Sequence, residues 1–295
     1  MNIKKYIGYL LIFTEKIMSI FVISFLLLII ILSMFVLMDN KKIITEAESS
    51  NYKAYKPVKD DIISFNELKN RNHDVLGWIT IDNTSIDYPI VQGETNETYI
   101  NKSIYGDFSL TGAIFLDSRN TADPETNIVS IIYGHNMVGD AMFGGIDLFE
   151  NSDYFNDHLT GTLFIDDKYY KLNIFSFFKA NGYNSYVYNT SINKDDYNEW
   201  VNAIIAMSVN RTNNIPHGEP VLLLSTCSKD ETDGRCVLAA TITEGEAPLR
   251  EKEDEKKTDL TVHLMNYNLD NIPFKYIIVY CCFLIIITLA FIKKR

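Results

Sequence analysis

The sequence predicts a mainly β domain, closed or sandwiched, carried between two membrane-spanning helices. Three observations carry the prediction. Two long, nearly uncharged apolar runs lie towards the chain ends, short apolar segments divided by turn formers fill the middle, and polar segments join the two. The 295 residues suffice for one medium domain plus attachments. With 38 acidic against 27 basic residues the formal charge is −11, and no basic stripe crosses the middle of the chain. That balance argues against a nucleic-acid partner, because phosphate binding needs clustered Lys and Arg.

Residues 1–16 carry Lys4, Lys5 and Lys16 and read as a cytoplasmic N-terminus. Residues 17–38, IMSIFVISFLLLIIILSMFVLM, hold no charge, and about 20 apolar residues cross a bilayer as a helix. A cleaved signal peptide is the alternative, but its apolar core would be about 7–15 residues and would end at a small-residue site. This run is longer and ends Leu37-Met38-Asp39, so an uncleaved anchor is expected. Residues 39–59 are polar, include Lys56-Pro57 and read as an irregular linker. Ser64, with Glu67 three residues on, has the signature of a capping box opening a short helix.

From Trp78 the pattern changes to strands. Ile79, Ile81, Ile90 and Val91 lie among turn formers such as Asp82-Asn83, and further strand candidates are 113–116, 128–133, 161–165, 171–179, 221–227 and 235–242. One inserted helix interrupts them, capped by Asn193 with Asp196 at the third position. Its stripe of Tyr197, Trp200, Val201, Ile204 and Ile205 reads as core packing. The domain so delimited is 60–245. Residues 246–273 form a tether, highly charged in its first half, and 274–292 (FKYIIVYCCFLIIITLAFI) form a second span, with a buried C-terminal helix as the alternative. Lys293-Lys294-Arg295 is the cytoplasmic tail. Basic residues outside both spans put both termini in the cytoplasm and 39–273 outside, although Lys41 and Lys42 oppose this bias.

Four cysteines are present, and Cys281 and Cys282 lie within the second apolar run. Cys227 and Cys236 remain. A disulfide between them is one reading for an extracytoplasmic domain. If 221–227 and 235–242 pair as a hairpin, Cys227 faces Arg235 on one side of the sheet and Cys236 points to the other. That arrangement joins a thiol to a guanidinium and leaves Cys236 as a small buried hydrophobe. A working thiol needs a proton partner. Of His73, His135, His158, His217 and His263, only His135 follows directly on an apolar strand, in Tyr-Gly-His-Asn. The chain has no Cys-x-x-Cys, His-Glu-x-x-His or acid-rich calcium loop, so neither metal nor other cofactor is called for. No two carboxylates stand out as an acid–base pair.

Taken in order, 127–137 (NIVSIIYGHNM), Leu224-Ser225-Thr226-Cys227 and Arg235 resemble the His, Cys and Arg motifs of sortases. Gly77-Trp78-Ile79, YPIVQG at 88–93, GAIFLDSR at 112–119, Met142-Phe143-Gly144 and the helix-bearing insert near 190–209 resemble class B in particular. The resemblance covers about residues 60–245. It implies a closed eight-stranded β-barrel with a groove at one end. It also implies a transpeptidase that cleaves a sorting motif near the C-terminus of a surface protein, after its Thr. Cys227 would form the thioacyl-enzyme, His135 would move protons and Arg235 would steady the oxyanion. Asn101 matches a groove-lining position of class B relatives, while Ser225 and Thr226 flank the nucleophile and either shape the groove or are ordinary strand hydroxyls bonded to backbone.

The implied acceptor is a peptidoglycan-precursor amine in a Gram-positive cell wall, and the lipid bilayer is the implied support. Two spans depart from the single N-terminal anchor usual in class B. A C-terminal span is more typical of pilin-polymerising sortases, whose acceptor is a pilin lysine, yet the Asp-Pro-aromatic lid motif of that class is absent. A non-catalytic surface binding domain is a third reading. A papain-like protease is disfavoured because there the Cys precedes its His. No Leu-Pro-x-Thr-Gly-type motif precedes the C-terminal run, so the chain does not read as a sortase substrate.

Overall fold

The computed structural model describes residues 3–59, 62–229 and 232–247. Helix α1, Ile3–Glu46, contains the first apolar run and is long and apolar enough to cross a membrane. It continues past the apolar run into the segment expected to be irregular. Residues 39–46 hold no Pro or Gly to stop it, and Lys42 reaches Glu46 one turn on at 3.7 Å. The expected second span at 274–292, the tether beyond 247 and the basic tail lie outside the described residues.

The polar segment after α1 is attached to the domain. It forms two 3-10 turns, Ser49–Asn51 and Lys53–Tyr55, and buries Ala47 and Tyr52. The Tyr88 hydroxyl donates to Ala47 O at 2.9 Å and accepts from Met142 N at 2.8 Å. Lys56 Nζ reaches Asp87 Oδ1 at 2.8 Å. Helix α2, Ile63–Arg71, follows, with Phe65 and Leu68 turned inwards. Its N-cap is Ile62, which caps through no side chain, so Ser64 lies inside the first turn and the expected capping box is not made.

The strands are β1 (Val75–Ile81), β2 (Asp87–Val91), β3 (Ile114–Leu116), β4 (Val129–Tyr133), β5 (Thr160–Ile165), β6 (Lys168–Asn181), β7 (Ser208–Arg211), β8 (Val221–Cys227) and β9 (Gly234–Glu244). Among the described residues they form one sheet in the order β5-β1-β2-β3-β4-β8-β9-β6-β7. An added β5–β6 ladder, six residue pairs from Thr160↔Asn173 to Ile165↔Lys168, joins the ends. Eight strands are therefore closed into a barrel, and β7 is an appended ninth on the edge of β6. Sequence reading missed β7, whose Ser-Val-Asn-Arg carries one apolar residue and no alternation.

Two apolar clusters explain the architecture. The larger takes side chains from all eight barrel strands, with Phe65 and Leu68 of α2 packed against it, and fills the barrel. The smaller lies on the outer face of β4, β6, β8 and β9, under α4 (Tyr197–Met207). The stripe Tyr197, Trp200, Val201, Ile204 and Ile205 is buried there, as its spacing required. Asn193 Oδ1 accepts from Asp196 N at 2.9 Å, in a turn immediately before the helix, and Asp196 is the residue that flanks the first helical position. The short helix α3, Ser152–Asp157, is capped by Asn151, whose side chain accepts from Tyr154 N.

Candidate active site

Strand alternation decides which side chains can meet. Val129 and Ile131 on β4, Val221 and Leu223 on β8, and Val237 and Ala239 on β9 all belong to the outer cluster. Ile132, Leu222, Leu224, Cys236 and Leu238 belong to the barrel core. Stepping by two along each strand puts Tyr133, Ser225, Cys227 and Arg235 on the outer face.

Pairing then fixes their level. β4 and β8 run parallel with Tyr133 opposite Ser225, and Gly134 N extends the ladder to Ser225 O at 3.2 Å. Both strands leave the sheet at the same end, His135 two residues beyond Tyr133 and Cys227 two beyond Ser225. β9 returns antiparallel, with Arg235 opposite Cys227 and Cys236 opposite Thr226. The hairpin register expected from sequence is the observed one. His135, Cys227 and Arg235 line a single cleft of about 710 Å³.

Each of the three is held differently. Cys227 is exposed and free, and so available to a substrate. His135 Nε2 lies 2.8 Å from Ile100 O. A carbonyl can only accept, so Nε2 donates this hydrogen bond, and Nδ1 is the ring nitrogen left to exchange a proton. Gly112 makes this approach possible: its φ is +61°, and a Cβ there would come within 2.5 Å of Ile100 O and 3.1 Å of His135 Cδ2. The Arg235 guanidinium lies against Gly182, where a Cβ would come within 3.1 Å of its Cζ, and Nη1 donates to Gly234 O at 2.9 Å.

Cys236 is buried and free, so it forms no disulfide with Cys227. Burial first, and then the charge of Asp147, push its thiol up to about 12. Of the rival histidines, His158 is engaged structurally, with Nδ1 2.7 Å from Tyr154 O and its ring stacked on Tyr154 at 3.9 Å. Among the described residues no three His, Cys, Asp or Glu side chains converge to hold a metal.

The secondary candidates divide. Ser225 lines the cleft, and its Oγ lies 2.9 Å from the Tyr188 hydroxyl, so its partner is a side chain and not backbone. Thr226 also lines it, with its Oγ1 buried and without a hydrogen-bond partner. Asn101 departs from expectation, because it is exposed and absent from the cleft lining, where its neighbour Ile100 stands instead. The Lys102↔Phe108 bridge and the Ser109 N to Asn101 O bond at 3.1 Å open a local loop at residue 101. A tripeptide match carries no information about that one-residue difference.

Sequence reasoning also missed the wall of the cleft. The Tyr133 hydroxyl donates to Asp117 Oδ2 at 2.9 Å, and Arg119 grips the same carboxylate through Nε at 2.8 Å and Nη2 at 2.7 Å. Asp117 is fully buried. Burial raises its carboxyl, but the hydrogen bonds from Arg119 and Tyr133 outweigh that and hold it below the usual carboxylate range. Arg119 thus lines the cleft as a second fixed cation. Its only sequence signal was its place at the end of GAIFLDSR.

The same fold occurs in known proteins. The family model described as the sortase domain matches residues 79–243. Sortase B of Staphylococcus aureus is 31% identical over 183 residues, which span 60% of this chain and 74% of that relative. The structure of Clostridium perfringens sortase B is similar with a TM-score of 0.57 and 32% identity, covering 61% of this chain and 100% of that one. A Streptococcus pyogenes class B sortase involved in pilus biogenesis gives a TM-score of 0.56 and 37% identity, covering 61% and 98%.

Proposed function

Because this chain belongs to the sortase family of cysteine transpeptidases, we propose that it joins surface proteins to a cell-wall amine, with Cys227, His135 and Arg235 as its catalytic groups. The observation that carries this reading is the register that sets Cys227 opposite Arg235, while the parallel β4 delivers His135 to the same cleft.

Cys227 Sγ, as thiolate, attacks the carbonyl carbon of the Thr in a C-terminal sorting motif. The C–N bond after Thr breaks, and protonated His135 gives its Nδ1 proton to the departing amine. The thioacyl bond now holds the surface protein. A peptidoglycan-precursor amine then attacks the same carbonyl, losing a proton to Nδ1, and the C–S bond breaks to restore the thiolate. The Arg235 guanidinium faces the carbonyl oxygen in both tetrahedral stages, where a cation already held in place stabilises the developing charge without having to reorganise. Ser225 and Thr226, which line the cleft, flank the track of the motif, Thr226 with its hydroxyl turned away from it.

In this reading α1 anchors the enzyme in the membrane, the second apolar run at 274–292 is a further span, and the domain between them works outside the cell. The long apolar α1 supports the first part. A second reading, polymerisation through a pilin lysine, is favoured by the 37% identity to the pilus-associated S. pyogenes protein. Pilin ladders on the surface of producing cells would support the second reading, and wall-linked monomers the first.

The test is incubation of the purified protein with sorting-motif peptides and an amine, with mass spectrometry of the trapped acyl-enzyme. The acyl group is expected on Cys227. Undiminished turnover in Cys227→Ala would end the proposal.

A further inference from the structure

Asn136, the residue after His135, spends both hydrogens of its amide on one junction. Nδ2 donates to the backbone carbonyl of Cys227 at 2.8 Å and to Asp147 Oδ2 at 2.9 Å. Asp147 stands on the 3-10 segment Gly144–Glu150 and receives Lys229 Nζ on the same oxygen at 2.8 Å. Lys229 is two residues beyond Cys227. The nucleophile's carbonyl, through Asn136, and the chain two residues beyond it, through Lys229, are thus tied to one carboxylate, and Asn136 belongs to the loop that carries His135.

Two details argue that this is more than incidental packing. Burial raises the Asp147 carboxyl, yet hydrogen bonds from Lys229, Asn136 and the Cys236 thiol outweigh that and keep it below the usual range, so the acceptor is charged. Asn136 Oδ1, meanwhile, is buried and has no hydrogen-bond partner. Turning the amide over would set that oxygen against a carbonyl and a carboxylate, both acceptors. The side chain is therefore locked in the one orientation that leaves its own oxygen unsatisfied.

We propose that Asn136 and Asp147 are a positioning pair, fixing the separation between His135 and Cys227, with Lys229 closing the circuit on the far side of the thiol. Neither touches the substrate. The inference rests on Cys227 being the nucleophile.

The experiment compares Asn136→Ala, Asp147→Ala, their double variant and Cys227→Ala in the full-length protein in detergent, using a sorting-motif peptide and an amine. Each single change is expected to lower kcat on the order of 10–100-fold, the scale set by slight misplacement of reacting groups. KM should stay within about twofold, because ground-state binding is untouched. The double variant should be no worse than the worse single one, since the two residues act as a unit. An unchanged kcat in either single variant, or losses that multiply in the double, would overturn the proposal. Should an alanine variant lose its near-ultraviolet circular dichroism, Asp147→Asn, which keeps the shape but not the charge, takes its place. The same loss of kcat is expected there, and an unchanged kcat would overturn the proposal equally. Full turnover in Cys227→Ala would instead defeat the functional reading itself. An inactive Cys227→Ala beside a fully active Asn136→Ala would defeat only this inference.

Discussion

Cys227 and Arg235 are direct partners across the β8–β9 ladder, at the mouth of a hairpin whose next pair, Thr226 and Cys236, points to the other face of the sheet. One antiparallel register thus presents a thiol and a guanidinium together and withdraws the second thiol into the core.

The guanidinium's shape should matter as well as its charge. Lys at this position would keep the cation but lose the planar fork that lies against Gly182. Arg235→Lys is expected to lower kcat on the order of 100-fold or more, the usual cost of losing an oxyanion donor. Steady-state kinetics with a motif peptide measure it, and near-normal kcat would remove Arg235 from that role.

Gly182 should be as sensitive as the residue it supports. A methyl group there meets Arg235 Cζ and Nη2 at 3.1 Å, so the guanidinium must shift. Gly182→Ala is expected to cost up to about 100-fold in kcat/KM through that displacement, with thermal unfolding little changed. A variant as active as the parent would mean that the cleft tolerates another position for Arg235.

The two domain cysteines should differ sharply in reactivity. Cys227 is exposed, whereas burial and Asp147 push the Cys236 thiol up to about 12. An alkylating reagent at neutral pH is expected to modify Cys227 and leave Cys236 untouched until the protein is unfolded. Peptide mapping distinguishes the two, and early labelling of Cys236 would contradict the buried register.

Acid should weaken the fold through Asp117. Its folded-state pKa lies below the unfolded value, because the hydrogen bonds from Arg119 and Tyr133 outweigh burial. Its stabilising contribution is therefore complete above the ordinary Asp range and is lost as pH falls through that range towards the folded value, below about pH 4. Asp117→Asn should be less stable than the parent near neutrality and should show a shallower fall in stability on acidification. Denaturant titrations at several pH values check this, and parallel curves would refute it.

The attachment of the segment after α1 can be tested at Tyr88, whose hydroxyl bridges Ala47 O and Met142 N in the buried core. Tyr88→Phe leaves both backbone groups without that partner, at a cost of about 1–3 kcal/mol. Equilibrium unfolding measures the loss, and an unchanged midpoint would show that the contact contributes nothing.

How much could be read in advance followed the range of the interaction concerned. The first membrane-length helix, the buried stripe of α4, and the β8 and β9 segments with the register that sets Cys227 opposite Arg235 were all legible, because each follows from a pattern within a short stretch of chain. β7 carried no alternation, and the continuation of α1 to Glu46 crosses a polar stretch with the composition of a linker. The position of Asn101 failed for a similar reason: a loop decides which of two neighbours faces the cleft, and a motif does not.

Local pattern along the chain was enough to set most of the elements and to nominate the chemical candidates, because periodicity, charge and residue scarcity need no knowledge of distant neighbours. Long-range contact alone settled that β4 lies parallel beside β8, that Asn136 reaches across to the carbonyl of Cys227, and that Asp147 binds Lys229. Those contacts join residues 82 to 92 positions apart, and their partners are selected by closure of the barrel. Short segments of chain carry no record of that closure.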